Sequence, residues 1–71
     1  MKNNNMKKTI GIVIRKMRED MGLSQVKFGK LLKKDNSIVC RWESGERTPS
    51  MVEYRELIET FNSFMEKKVK V

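Results

Sequence analysis

Residues 22–45, GLSQVKFGKLLKKDNSIVCRWESG, decide the fold. Two short helices fit into this stretch. Ser24 is an N-cap residue, and Phe28, Leu31 and Leu32 behind it form an apolar stripe at helical spacing. That gives a helix over about 25–32. Lys33-Lys34 makes a tight turn, and Asp35 caps a second helix. Val39 and Trp42, three apart, share its inner face, and Gly45 stops it, giving about 36–44. On the opposite face stand Asn36, Ser37, Cys40 and Arg41.

The flanking segments are also helical. Ile10, Val13, Ile14, Met17 and Met21 recur at three- and four-residue intervals, with Thr9 as N-cap and Gly22 as the residue just past the end, giving a helix over about 10–21. Glu46-Arg47-Thr48-Pro49 is a loop. Ser50-Met-Val-Glu53 is a capping box, in which serine oxygen and glutamate carboxylate satisfy each other's amides. Tyr54, Leu57, Ile58, Phe61, Phe64 and Met65 continue it as a helix over about 51–68. A break near Asn62-Ser63 into a fifth helix is the alternative, although no Gly or Pro marks one. Residues 1–8 are polar, basic and Asn-rich, and read as a flexible arm. No β-type alternation is sustained. The expectation is an all-α chain of four to five short helices, with an arm at 1–8 and one domain over 9–71.

Composition narrows the functions. A domain of 71 residues buries only about 60% of its unfolded surface, so its core is small and leaves no room for a large catalytic cleft. The chain has one cysteine, Cys40, and no histidine. Neither an intrachain disulfide nor a Cys/His metal cluster is available, no phosphate-binding Gly-rich loop is present, and no cofactor is expected. An enzyme is not expected. The formal net charge is +7, unevenly spread: residues 1–41 carry +8 and residues 42–71 carry −1. A basic half beside a near-neutral half suits a polyanion. The longest apolar run is Ile12–Ile14, and no signal-like apolar stretch follows the N-terminal lysines, so a cytoplasmic location is expected.

Short helices at 25–32 and 36–44, joined by a three- or four-residue turn, have helix-turn-helix spacing. The first ends of such helices carry free amides and partial positive charge, suited to a phosphate, and Gln25 sits there. The outward set on the second helix follows i, i+1, i+4, i+5, a stripe narrow enough for a major groove. Arginine pairs bidentately with guanine and asparagine with adenine, so Asn36, Ser37 and Arg41 are the candidate base readers. Ile38 at the flank suits a thymine methyl, and Cys40 lies within the stripe. Each residue also has a plainer reading: Arg41 as a solvated arginine, Asn36 as a first-turn residue, Ser37 as an ordinary exposed serine, Cys40 as an inert thiol. Trp42 shares the inner face and reads as core. Gln25, Lys27, Lys33, Lys34 and Arg47 are candidate phosphate contacts, together with Lys30. Lys27 and Lys30 equally fit the solvated face of an amphipathic helix.

The residues Ile10-Gly11, Ile14, Arg18, Gly22-Leu23-Ser24-Gln25, Phe28-Gly29-Lys30-Leu31-Leu32, Val39-Cys40-Arg41-Trp42-Glu43-Ser44-Gly45 and Pro49-Ser50, in this order and spacing, resemble the phage repressor and Cro type of helix-turn-helix domain. The resemblance runs from Ile10 to Phe61. It implies a lambda-repressor-like fold and sequence-specific binding of double-stranded DNA. It also implies an ion pair between Arg18 and Glu43 joining the first and third helices. The chain departs from the family in three places. Lys33 stands where glycine is usual, which requires a left-handed or adjusted turn at a cost of roughly 1 kcal/mol. Gly29 stands where alanine is common, and no Gly follows the fourth helix. Members of this size include autoregulating repressors of phage and plasmid operons, antitoxins that also bind a toxin, and restriction-controller-like activators that contact RNA polymerase. A repressor acting as a homodimer on an inverted-repeat operator is the first expectation, with Phe61, Phe64, Met65 and Val69 as the candidate dimer interface.

Overall fold

The computed structural model describes residues 2–69, and their side chains over 6–68. Four helices follow in order: α1 (Lys2–Met21), α2 (Gln25–Leu32), α3 (Asn36–Ser44) and α4 (Met51–Val69), with no strand among the described residues. The chain is all-α, as its periodicity requires.

Local chemistry sets the inner boundaries. The Ser24 hydroxyl accepts the Lys27 N–H at 3.2 Å, and the Asp35 carboxylate accepts the Ser37 N–H at 3.3 Å, so α2 and α3 both begin on capped turns. The Ser50–Glu53 box closes in both directions, with Ser50 N–H on Glu53 Oε1 at 2.9 Å and Glu53 N–H on Ser50 Oγ at 3.1 Å. α2 ends on Lys33, which takes the left-handed conformation at φ 60°, and α3 ends on Gly45 at φ 85°.

One boundary differs from the sequence reading. α1 starts at Lys2 rather than near Ile10, so residues 2–8 are helical where an arm was expected, and Thr9 lies inside the helix instead of capping it. Nothing between Lys2 and Thr9 forbids the extension: asparagine is a mediocre helix former, but no Gly or Pro interrupts the ladder. Lys8 also packs beside Gly45, tying that turn to the end of α3. At the other end, α4 runs unbroken through Asn62-Ser63.

Ile14, Met21, Phe28, Val39, Trp42 and Leu57 are buried and form the core, with contributions from all four helices. α1 crosses α3 closely because Gly11 has no side chain. A Cβ there would stand 2.5 Å from the Trp42 carbonyl oxygen and 2.7 Å from that of Glu43. Gly29 does the same for the next layer, since its Cβ would meet the Lys34 carbonyl oxygen at 2.7 Å. The departure from alanine at Gly29 is therefore what lets the turn after α2 pass so near. Trp42 is 1% exposed and its indole N–H has no acceptor among the described residues, a cost the packing of that large ring must offset.

Candidate nucleic-acid interface

α3 is held from behind by several elements and bare in front. Val39 and Trp42 point into the core, and Ile38 is half-buried against it. Asn36, Ser37, Cys40 and Arg41 are all exposed, and their side chains make no hydrogen bond or ion pair with another described residue. The sequence stripe is thus a continuous exposed face. The half-burial of Ile38 commits it to packing as well.

The back of α3 is fixed through Glu43. Arg18 Nε donates to Glu43 Oε2 at 2.6 Å and Arg18 Nη2 to Oε1 at 3.1 Å, a bidentate pair with side chains 14% and 6% exposed. Arg18 Nη1 also donates to the Leu23 carbonyl at 2.9 Å, joining the end of α1 to the start of the α2 segment. Hydrogen bonding to Glu43 raises the Arg18 pKa above its already high ordinary value, against the opposing effect of burial. Gln25 Nε2 adds a third donor to Glu43 Oε1, at 3.1 Å. One carboxylate therefore anchors α1, α2 and α3 together. The Gln25 contact was not legible in the sequence, where Gln25 stood only as a phosphate candidate. Its amide keeps a second hydrogen.

Of the other phosphate candidates, Lys27, Lys33 and Arg47 are exposed, as is Lys30, and none has an ion-pair partner among the described residues. Lys34 differs. Its Nζ lies 2.7 Å from Glu53 Oε2, with side chains 30% and 20% exposed. This candidate phosphate contact is thus tied to the first turn of α4. Hydrogen bonds from Lys34 and from the Ser50 backbone hold the Glu53 carboxyl below its ordinary pKa. At the start of α2, Ser24 caps only the third amide, and the amides of Gln25 and Val26 have no acceptor among the described residues.

A family model described as helix-turn-helix, of the lambda-repressor and Cro type, matches residues 14–64, well over half of the chain. The chain belongs to the helix-turn-helix family. The match runs from within α1 to within α4 and includes the Arg18–Glu43 pair and all of α3. Among curated proteins, none matches the chain significantly. Membership in the helix-turn-helix family supports a regulator that binds double-stranded DNA. None of the described helices is long and apolar enough to cross a membrane.

The apolar candidates for self-association divide. Phe61, Phe64 and Met65 are half-buried and packed against the core, so much of their surface is already used. Val69 lies outside the residues whose side chains are described. Other apolar side chains stand open: Met51 (89% exposed) and Val52 (64%) on α4, and Met6 (62%) and Ile12 (66%) on α1. Beside Met51 runs a groove of about 540 Å³, with Ile10, Pro49, Tyr54 and Ile58 in its lining.

Proposed function

We propose that this helix-turn-helix protein is a cytoplasmic, sequence-specific transcriptional repressor that controls its own promoter and binds an inverted-repeat operator as a homodimer. The observation carrying this reading is the bare face of α3: Asn36, Ser37, Cys40 and Arg41 are exposed and unpaired among the described residues, on a helix whose back is clamped by Glu43 and Trp42. A helix inserted in a major groove needs both properties, free hydrogen-bonding groups in front and a fixed position behind. Arg41 reads guanine and Asn36 reads adenine. Ser37 and Cys40 face the same base edges, and Ile38 covers a thymine methyl with its outer half. Lys27, Lys30, Lys33 and Arg47 neutralise phosphates, and the two free amides at the start of α2, with Gln25 beside them, receive another.

One such unit reads only a few base pairs, too few to find one site in a genome, and two-fold pairing doubles the readout. The second copy docks through the near-neutral half of the chain, where charge does not oppose association. Met51, Val52 and the neighbouring groove supply the apolar area there, supplemented by the outer parts of Phe61, Phe64 and Met65. Selection of binding sites from random double-stranded DNA tests the whole reading. A palindromic consensus with half-sites about one helical turn apart is expected, and enrichment of no sequence would overturn it.

A further inference from the structure

Lys34 occupies the turn between α2 and α3, and three contacts fix it. Its N–H donates to the Gly29 carbonyl at 2.7 Å, its own carbonyl lies against the bare α-carbon face of Gly29, and its ammonium lies 2.7 Å from Glu53 Oε2. The next residue, Asp35, caps α3, and the one after it is Asn36. Glu53 is fixed in turn, because its other oxygen accepts the Ser50 N–H. Between these two residues lie the whole of α3 and the loop that leaves it. The pair, nineteen positions apart, therefore closes a loop around the recognition helix. At the far end of that loop, the N–H groups of Glu46 and Arg47 both donate to the Arg41 carbonyl.

We infer that Lys34 and Glu53 are a positioning pair: their clasp sets the pose of α3 on the operator, and so governs discrimination between DNA sequences rather than general affinity for DNA. This rests on the DNA-reading role proposed above. The Arg18–Glu43 anchor holds the back of α3 at its C-terminal end, and a helix pinned at one end can still swing at the other. Lys34–Glu53 pins the N-terminal end, where Asn36 and Ser37 stand. Neither residue has to touch a base to act in this way, and Glu53 has no charge suited to a phosphate.

The test compares Lys34→Met, Glu53→Gln, Lys34→Arg and the charge swap Lys34→Glu with Glu53→Lys. Glutamine at 53 keeps the capping box and loses only the charge. Specific and non-specific duplex affinities are measured over a salt series. Lys34→Met and Glu53→Gln should each weaken operator binding about tenfold, as expected for a coupled contacting pair, with non-specific affinity and salt slope unchanged. Lys34→Arg should retain operator binding, and the swap, whose lysine at 53 cannot accept the Ser50 N–H, should recover it only in part. A purely structural loss would lower both affinities together. If Lys34→Met lowers the salt slope by about 1 and weakens both duplexes alike while Glu53→Gln is silent, Lys34 is a phosphate ligand, and the inference fails. Amide hydrogen exchange in the free protein gives a reading without DNA. The first turn of α3 should exchange faster in both single variants that remove the charge. Unchanged protection overturns the clasp whatever the DNA result, whereas a wild-type chain with no sequence preference overturns the DNA-reading role with the clasp's exchange signature intact.

Discussion

Arg18 and Glu43, twenty-five positions apart, meet at 2.6 Å in a bidentate pair whose carboxylate is 6% exposed. Removing one partner of so sheltered a pair strands the other. Glu43→Ala should cost roughly 3 kcal/mol, toward the low end for buried pairs, because Arg18 keeps the Leu23 carbonyl. Glu43→Gln, which retains acceptor and shape, should cost less. Urea denaturation of the two variants checks the order, and a Glu43→Ala midpoint equal to wild type would contradict it.

Arg41→Ala should weaken operator binding by about 1–3 kcal/mol and relax the preference at one guanine. Asn36→Ala should do the same at another base. Because both side chains are exposed and have no partner among the described residues, neither variant should shift the melting temperature appreciably. An unaltered sequence logo in both variants would remove α3 as the reader.

Lys33 is left-handed at φ 60°, where a β-carbon is strained. Lys33→Gly should stabilise the domain by up to about 1 kcal/mol, the relief of strain exceeding the extra entropy of the unfolded glycine. The same variant loses a cation and should reduce the salt slope of DNA binding by about 1. Calorimetry and a salt titration separate the two effects, and a lower melting temperature would refute the strain argument.

The depressed pKa of Glu53 makes the domain acid-sensitive in a defined direction. A carboxylate held below its ordinary value of 4.5 stabilises the fold above that pH, and the contribution is lost as pH falls through the folded-state pKa. Glu53→Gln should therefore have a shallower loss of stability below about pH 4.5 than wild type. Parallel acid titrations followed by circular dichroism would show it, and superimposable curves would contradict it.

Met51 is 89% exposed and Phe64 is half-buried on the core. Met51→Glu should leave the monomer folded and abolish two-to-one binding on a palindromic operator, whereas Phe64→Glu should lower stability itself. Analytical ultracentrifugation with and without DNA distinguishes them. Two-to-one binding by Met51→Glu would place the dimer contact elsewhere.

What the sequence conveyed was the local part of this structure. α2 and α3 were legible to the residue because Ser24, Asp35 and Gly45 are punctuation that acts within one turn. The start of α1 was not, because a helix that nothing breaks gives no signal where it begins, and the packing of Lys8 on Gly45 is a contact between distant segments. The same limit explains Lys34: a lysine between two helices reads as free until Glu53, on a helix not yet folded against it, takes it up. Phe61, Phe64 and Met65 show the converse limit, since periodicity identifies an apolar face without saying whether the monomer or a partner covers it.

Among the described residues, Asn36, Ser37, Cys40 and Arg41 contribute no side-chain hydrogen bond or ion pair to the fold. Address and chassis are therefore written in different letters of the same nine-residue helix. The four outward positions are open to wholesale replacement, and a descendant or a designed variant can be redirected to a new operator without renegotiating its own stability.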